Sequence, residues 1–217
     1  MPRENLTLKR ERAAEIEQRM FEHYGEGACS LDHVDPFTLT VAVILSAQCT
    51  DAAVNKVTPE LFARFGTPEA MAAANIEDIE AIIHPLGFFR SKAKNLKACA
   101  QTVLAEFGGE VPRTMADLQK LPGVGRKTAN VVMSNAFGKD AIAVDTHVFR
   151  LANRLGLAHA KDVYHTELQL MENIPKDQWS DAHHWLIWHG RKICSSRKPK
   201  CGECPLADVC PSVEKAG

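Results

Sequence analysis

The sequence has no long hydrophobic run and no excess of charge of either sign. Its apolar stretches stay well short of the ~18 residues that cross a bilayer, and its first residues carry acids and bases where an export signal would be apolar. With 26 Lys and Arg against 27 Asp and Glu, the net charge is −1. We therefore expect neither a membrane protein nor an exported one. A uniformly basic nucleic-acid binder is also excluded, although a local basic patch is compatible with this total.

Strand patterns, internal repeats and low-complexity segments are also missing. The 217 residues are 45% hydrophobic and 24% charged, as in an ordinary globular chain with one large or two small domains. Apolar residues recur at helical spacing in almost every segment, so we predict an all-α fold with short loops. Asp51 and Thr67 resemble helix N-caps, and Gly66 and Gly87 resemble helix ends. The predicted helices cover residues 8–24, a stretch from 36, 91–107, 115–121, 127–137, 146–155, 164–173 and 177–189.

Four of the seven cysteines fall within residues 194–210, in the pattern C-x6-C-x2-C-x5-C. Without an export signal, such a cluster favours a metal site over disulfides. The spacing alone fits zinc and an iron–sulfur cluster equally well. The four are Cys194, Cys201, Cys204 and Cys210, whereas Cys29, Cys49 and Cys99 are predicted to be small buried apolar residues.

A basic segment overlaps the cysteine cluster. Between Gly190 and Cys201 the chain has five cations and no acid. Such a run is usually a solvated face, but a loop tied down by a metal cluster is also a good phosphate contact. The five cations are Arg191, Lys192, Arg197, Lys198 and Lys200.

A glycine-rich turn lies between two predicted helices at residues 121–127, LPGVGRK. Gly123 and Gly125 flank Val124 and allow a tight hairpin, whose backbone N–H groups and following helix N-terminus bind an anion such as a phosphate. Arg126 adds a cation. A bare G-x-G fits a simple helix–turn–helix corner, but the proline and the basic pair favour phosphate binding.

Four ordered motifs resemble those of the helix–hairpin–helix DNA glycosylases, and within that superfamily the endonuclease III family. They are LSAQCTD at 45–51, LPGVGRKTANVV at 121–132, AVDTH at 143–147 and the segment from HHWLI at 183–187 into the cysteines. The resemblance runs from about residue 36 to 210. It implies a six-helix lobe over 29–139 with the hairpin at about 115–135, a cluster lobe of 1–28 with 140–217, and an active site in the cleft between them.

The resemblance also implies an activity and a cofactor. The family removes oxidised or ring-saturated pyrimidines from duplex DNA and then cleaves the strand. Lys127 would attack C1′ and form a Schiff base, Asp145 would assist base departure, and β-elimination would nick the DNA 3′ to the lesion. The four cysteines of the 194–210 loop would hold a [4Fe–4S] cluster. From the residues alone, Lys127 is an ordinary surface cation and Asp145 an N-cap.

Three further residues are implied to open the duplex. Gln48 would enter near the estranged base, and Phe88 would be the wedge where leucine is expected. Arg90 stands where asparagine is expected. The alternative interpretations are a polar helix end for Gln48 and a core pair for Phe88-Phe89.

Several alternatives for the whole chain remain at this point. They are an adenine-specific mismatch glycosylase, a DNA-binding module without catalysis and a zinc protein. We expect a monomer that binds damaged double-stranded DNA or abasic sites, with no membrane partner, in the cytoplasm of a prokaryote.

Overall fold

In the computed structural model, residues 6–213 are described, and within them all regular secondary structure is helical, with no strand. The prediction of an all-α fold is confirmed. The acid-and-base-rich start at residues 1–5 lies outside the described part, as do residues 214–217. No described helix is long and apolar enough to cross a membrane. The α-helices are α1 Leu6–Tyr24, α2 Pro36–Leu45, α3 Asp51–Phe65, α4 Pro68–Ala73, α5 Ile76–Ile83, α6 Phe89–Phe107, α7 Met115–Leu118, α8 Arg126–Phe137, α9 Thr146–Arg154, α10 Val163–Asn173 and α11 Trp179–Lys192, with short 3-10 turns at Lys176–Gln178 and Cys201–Glu203.

Two of the predicted helix ends are wrong. Thr50, not Asp51, caps α3, because the Thr50 side chain accepts a hydrogen bond from the Ala53 N–H while its own backbone is extended. Gly87 does not end a helix, since α5 ends at Ile83 and Gly87 lies in the loop before α6. The N-cap predicted at Thr67 is confirmed, with its hydroxyl accepting from the Ala70 N–H.

The chain divides into two compact units. Cys29–Lys139 form one, which we call the hairpin unit, and Met1–Ala28 with Asp140–Gly217 form the other, which we call the cysteine unit. In the hairpin unit every residue of α2 from Phe37 to Leu45 is buried. Helices α3, α6 and α8 pack around it. Asp35 and Thr38 form a capping box that fixes where α2 begins.

The core of the cysteine unit lies between α1, α9, α10 and α11. Helix α11 is buried on most of its surface, and its two most buried tryptophans both satisfy their indole N–H groups. Trp179 donates to the Ile174 carbonyl and Trp185 to the Gly25 carbonyl. Polar groups buried in such a core need partners of this kind.

One carboxylate of this core lacks full compensation. Glu17 on α1 has 6% of its surface exposed, and its Oε1 atom accepts no hydrogen bond within the described residues. Burial raises the pKa of Glu17 to about 8, and the negative charge of Asp177 acts in the same direction. The folded protein therefore keeps a proton on Glu17 at neutral pH, whereas the unfolded chain releases it.

We predict that the cysteine unit becomes less stable as the pH rises from about 5 to 8. Over that window the folded state holds one more proton than the unfolded state, so the free energy of unfolding falls by roughly 1.4 kcal/mol per pH unit from this group. Glu17→Gln removes the titrating group and should flatten this slope in urea unfolding between pH 6 and 8. Glu11→Gln, on an exposed position of the same helix, should keep the wild-type slope. An unchanged slope in Glu17→Gln would contradict the assignment.

Candidate functional site

The turn between α7 and α8 requires glycine at position 123. Gly123 has a φ of 82°, and a Cβ atom there would lie 3.1 Å from the Asn95 Cβ and 3.2 Å from the Ile44 Cγ2. The turn is closed by a hydrogen bond from the Val124 N–H to the Leu121 carbonyl, 3.0 Å long. Both the left-handed backbone and the close approach to α2 and α6 therefore exclude a larger side chain.

The hairpin delivers the N-terminus of α8 to the surface. Gly125 is the N-cap, with an extended backbone and no side chain to cap the helix, and it is exposed. The first amide groups of α8 have no acceptor within the helix, so this end can bind an anion. The side chain of Arg126 is half-buried in the same turn.

The predicted hairpin includes the backbone N–H of Val124 among the groups that would bind an anion. Its side chain is buried, with 5% of its surface exposed, and its N–H is already used in the turn. The apolar side chain packs into the hydrophobic core and so fixes the hairpin against the hairpin unit. Val124 therefore shapes the anion site and does not supply a donor to it.

Lys127 follows directly in the first turn of α8 and is half-buried. Burial raises the pKa of the Cys29 thiol, and the negative charge of Asp51 adds to this effect. The positive charge of Lys127 acts on the same thiol and lowers its pKa in part. The positive end of the α8 dipole disfavours an ammonium at this position. Lys127 is thus a lysine held beside an anion-binding helix end and partly shielded from water.

Asp145 is the N-cap of α9. Its Oδ1 atom accepts hydrogen bonds from the N–H groups of His147 and Val148, each 2.8 Å long. Both bonds use the same carboxylate oxygen, so the second oxygen is left out of the cap. The capping role expected from the sequence is confirmed, and the residue as a whole is half-buried.

Gln48 and Phe88 have the only left-handed backbones among the described residues other than glycine, with φ of 57° and 58°. Both side chains are exposed, Phe88 by 68%, so the interpretation of Phe88 as a core residue is wrong. Such a backbone costs free energy and persists only where the surroundings impose it, often at functional sites. Arg90 is also exposed, and its guanidinium lies 5.0 Å from the centre of the Phe89 ring.

All seven cysteines are free thiols, and Cys194, Cys204 and Cys210 pack against the core of the cysteine unit. Within residues 6–213, no three His, Cys, Asp or Glu side chains converge as they would around a single metal ion. A four-iron cluster makes a different demand, because each of four thiolates binds its own iron. The donor set, four thiols with no disulfide, fits such a cluster.

Burial and hydrogen-bond donors both act on these sulfurs. Burial raises the pKa of the Cys204 and Cys210 thiols, and the neighbouring cysteines raise it further. Metal binding has to displace the thiol protons. Donors also surround them. Arg154 donates to the Cys194 sulfur at 3.3 Å, and His189 Nε2 lies 3.4 Å from the Cys204 sulfur.

The basic segment is tethered by arginines that the sequence analysis did not single out. Arg154 donates to the carbonyls of Ser195 and Ser196, and Arg150 donates to those of Gly190 and Cys194. Their i, i+4 spacing on one helix, just after Asp145, is the signal that could have revealed them.

The five predicted cations of this segment are exposed. Lys192 lies over the Tyr24 ring at 5.6 Å, and Lys200 lies 3.8 Å from Glu203. A rigid, exposed basic loop is suited to phosphate contact, because its ordering entropy is lost on folding and not on binding.

The prediction that the three remaining cysteines are plain apolar residues holds for Cys99, which is buried. It is wrong for Cys49, whose sulfur accepts a hydrogen bond from Lys92, because a buried lysine on α6 has to find an acceptor. Cys29 is half-buried.

We predict that Gly123→Ala destabilises the hairpin unit by about 1–3 kcal/mol, from the left-handed backbone and the contacts of its Cβ. Urea unfolding would measure this. Gly125→Ala is the matched control, since no atom lies within 4 Å of a Cβ at that position and its φ of −85° is ordinary. Equal stability of the two variants would show that the close approach at Gly123 is not a constraint.

Comparison with known proteins agrees with this arrangement. Residues 41–176 match the HhH-GPD superfamily of base excision DNA repair proteins, and residues 194–210 match the iron-sulfur binding domain of endonuclease III. The chain is 50% identical over 210 residues to endonuclease III of Synechocystis sp., covering 96% of each chain. It is 50% identical over 197 residues to endonuclease III of Bacillus subtilis, covering 90% of this chain and 89% of the other.

A solved structure is similar at the level of the backbone. The structure of a trapped endonuclease III–DNA covalent intermediate, an estranged-adenine complex, matches with a TM-score of 0.90 and 45% identity, covering 95% of this chain and 97% of that chain. The matched iron-sulfur domain and the four-thiol donor set identify the cofactor as a [4Fe–4S] cluster. The chain belongs to the endonuclease III family of the HhH-GPD superfamily of base excision DNA repair proteins.

Proposed function

We propose that this chain is a bifunctional DNA glycosylase and abasic-site lyase that removes oxidised or ring-saturated pyrimidines from duplex DNA. The observation that carries the proposal is the position of Lys127, in the first turn of the helix that the glycine hairpin presents. An amine beside a phosphate-binding helix end is placed to attack the sugar next to that phosphate. The trapped covalent complex with DNA of the 45% identical structure supports this chemistry.

Binding starts with the phosphate backbone. The N-terminus of α8 with Gly123, Gly125 and Arg126 holds one phosphate of the damaged strand, and the basic loop of the cysteine unit holds others. A stacked base cannot be reached for chemistry at C1′, so the damaged nucleotide has to leave the helix. Phe88 acts as the wedge, Gln48 fills the gap, and Arg90 contacts phosphate or the orphan base.

The chemical step uses Lys127 as the nucleophile. Its neutral amine forms a bond to C1′ while the bond from C1′ to the base breaks and the base leaves with the electron pair. Opening of the sugar ring gives a Schiff base between Nζ and C1′. Loss of a C2′ proton then expels the 3′ phosphate, which nicks the strand by β-elimination.

Asp145 assists base departure. Its cap to α9 orients the carboxylate, and the oxygen outside the cap stabilises positive charge that builds on the sugar ring. Capping and catalysis therefore use different oxygens of one side chain.

The cluster has a structural role in this proposal. Cys194, Cys201, Cys204 and Cys210 are its ligands, and when bound it ties the two ends of the 194–210 loop together. Arg191, Lys192, Arg197, Lys198 and Lys200 then meet DNA from an ordered loop. The relatives compared above are bacterial, and we propose that this chain acts as a monomer on chromosomal DNA in a bacterial cytoplasm.

Borohydride trapping tests the nucleophile. With a duplex oligonucleotide that carries one oxidised pyrimidine, wild-type protein should form a covalent adduct, and Lys127→Gln should form none because the Schiff base needs the amine. Lys120→Gln, an exposed lysine just before the hairpin, is the matched control and should trap like wild type. Wild-type protein that binds DNA but neither traps nor releases base would indicate a binding module without catalysis.

Asp145→Asn separates the two roles of Asp145. Asparagine caps helices as well as aspartate, so the melting temperature should change little, while single-turnover base release should fall about 100-fold or more. Asp162→Asn, which replaces the N-cap of α10, is the matched control and should leave base release unchanged. Base release in Asp145→Asn at the wild-type rate would restrict this aspartate to capping.

A further inference from the structure

A hydrogen bond between a buried lysine and a half-buried cysteine connects the two loops that contain the left-handed residues. Lys92 lies in the first turn of α6 with 5% of its surface exposed, and its Nζ donates a hydrogen bond to the Cys49 sulfur over 2.9 Å. Cys49 follows Gln48 in the loop between α2 and α3. At the other end, the Lys92 N–H donates to the Phe88 carbonyl at 3.0 Å. The contact thus runs from the neighbour of Gln48 to the turn that begins at Phe88.

The position of Lys92 makes this contact demanding. An ammonium so far from water needs acceptors, and within residues 6–213 its side chain has one, the Cys49 sulfur. Sulfur is a weak acceptor, and the lysine ammonium has three N–H donors. The single bond to Cys49 therefore compensates only part of the cost of burying the charge. Removing the Cys49 sulfur leaves the buried Lys92 ammonium without its acceptor, and removing Lys92 leaves the half-buried Cys49 thiol without its donor. In either case the two loops would shift to give the remaining group a new partner.

The conformations of Gln48 and Phe88 are not set by their own side chains. Both side chains are exposed, and Phe88 makes no side-chain capping bond at the start of α6. A left-handed backbone at such residues has to be imposed by what adjoins it. For Gln48 the adjoining residue is Cys49, whose N–H is tied to the Ser46 carbonyl and whose sulfur is tied to Lys92. For Phe88 it is the first turn of α6, which contains Lys92.

We infer that Lys92 and Cys49 are positioning residues, which hold Gln48 and Phe88 in the geometry that lets both side chains enter the duplex together. This inference rests on the proposed function and deepens it, because it assigns base extrusion to a contact that neither of the inserted side chains makes. The pair acts through its neighbours and touches no DNA.

The test separates duplex opening from chemistry. We would measure single-turnover base release from a duplex with one oxidised pyrimidine, using 2-aminopurine next to the lesion to report unstacking. Cys49→Ala and Lys92→Met should each lower the rate of base release and the fluorescence rise about tenfold or more, since small misplacements of positioning groups have large effects. Borohydride trapping on a single-stranded abasic oligonucleotide should stay at the wild-type level, because no duplex has to be opened.

Matched variants distinguish positioning from general damage to the fold. Cys49→Ser keeps an acceptor for Lys92 and should recover most of the rate. The double variant of Cys49→Ala and Lys92→Met should lose about as much base-release rate as either single variant, because both changes break the same contact. Lys97 lies on the same helix, and its Nζ donates to the Ala74 carbonyl. The variant Lys97→Met should therefore leave base extrusion unchanged. If Lys92→Met does not fold, the comparison of Cys49→Ala with Cys49→Ser decides.

The outcomes are distinct. Wild-type protein that neither releases base nor traps on single strands would refute the proposed function. An active wild type whose Cys49→Ala and Cys49→Ser variants unstack 2-aminopurine equally well would overturn the positioning role. Additive losses in the double variant, or a parallel loss of trapping on single strands, would also overturn it.

Discussion

The burial of α2 is the constraint on which the hairpin unit depends. From Phe37 to Leu45 the helix has no polar face to turn toward water, so it has to be covered on all sides. Helices α3, α6 and α8 cover it, and each of the three candidate DNA-contacting loops of the hairpin unit adjoins α2 or one of these helices. The glycine hairpin approaches α2 and α6 closely at Ile44 and Asn95. One hydrophobic helix thereby sets the positions of three polar surface loops.

The cysteine unit reaches a similar result with polar contacts. Helix α9 begins at the Asp145 cap and carries Arg150 and Arg154, which bind the carbonyls around Cys194. A single helix therefore connects the candidate catalytic carboxylate to the cysteine loop. Guanidinium groups suit this task, because their fixed fork of donors can bind several carbonyls at once. Since Arg154 also donates to the Cys194 sulfur, the same side chain serves both the loop backbone and a ligand of the cluster.

The sequence was a good guide where the signal is local. Helix positions, the Thr67 cap and the glycine hairpin depend on residues a few positions apart, and the helix bounds differ from the predicted ones mostly by one or two residues. The errors arise where neighbours distant in the chain decide. Cys49 is predicted from the sequence to be a small buried apolar residue, but in the fold it meets Lys92, 43 positions away. Val124 lies between two exposed glycines, yet its side chain is buried as the anchor of the turn.

By itself the sequence determined that this protein is helical, that four thiols share one loop, and that a glycine hairpin precedes a lysine at a helix start. These properties follow from periodicity, spacing and backbone freedom, which are written in consecutive residues. Only the tertiary structure decided that Gln48 and Phe88 adopt left-handed backbones and that a buried lysine and a half-buried cysteine connect their loops. The reason is physical, since such strained or charged arrangements are unfavourable in the isolated segments and exist only where the packing of distant helices imposes them.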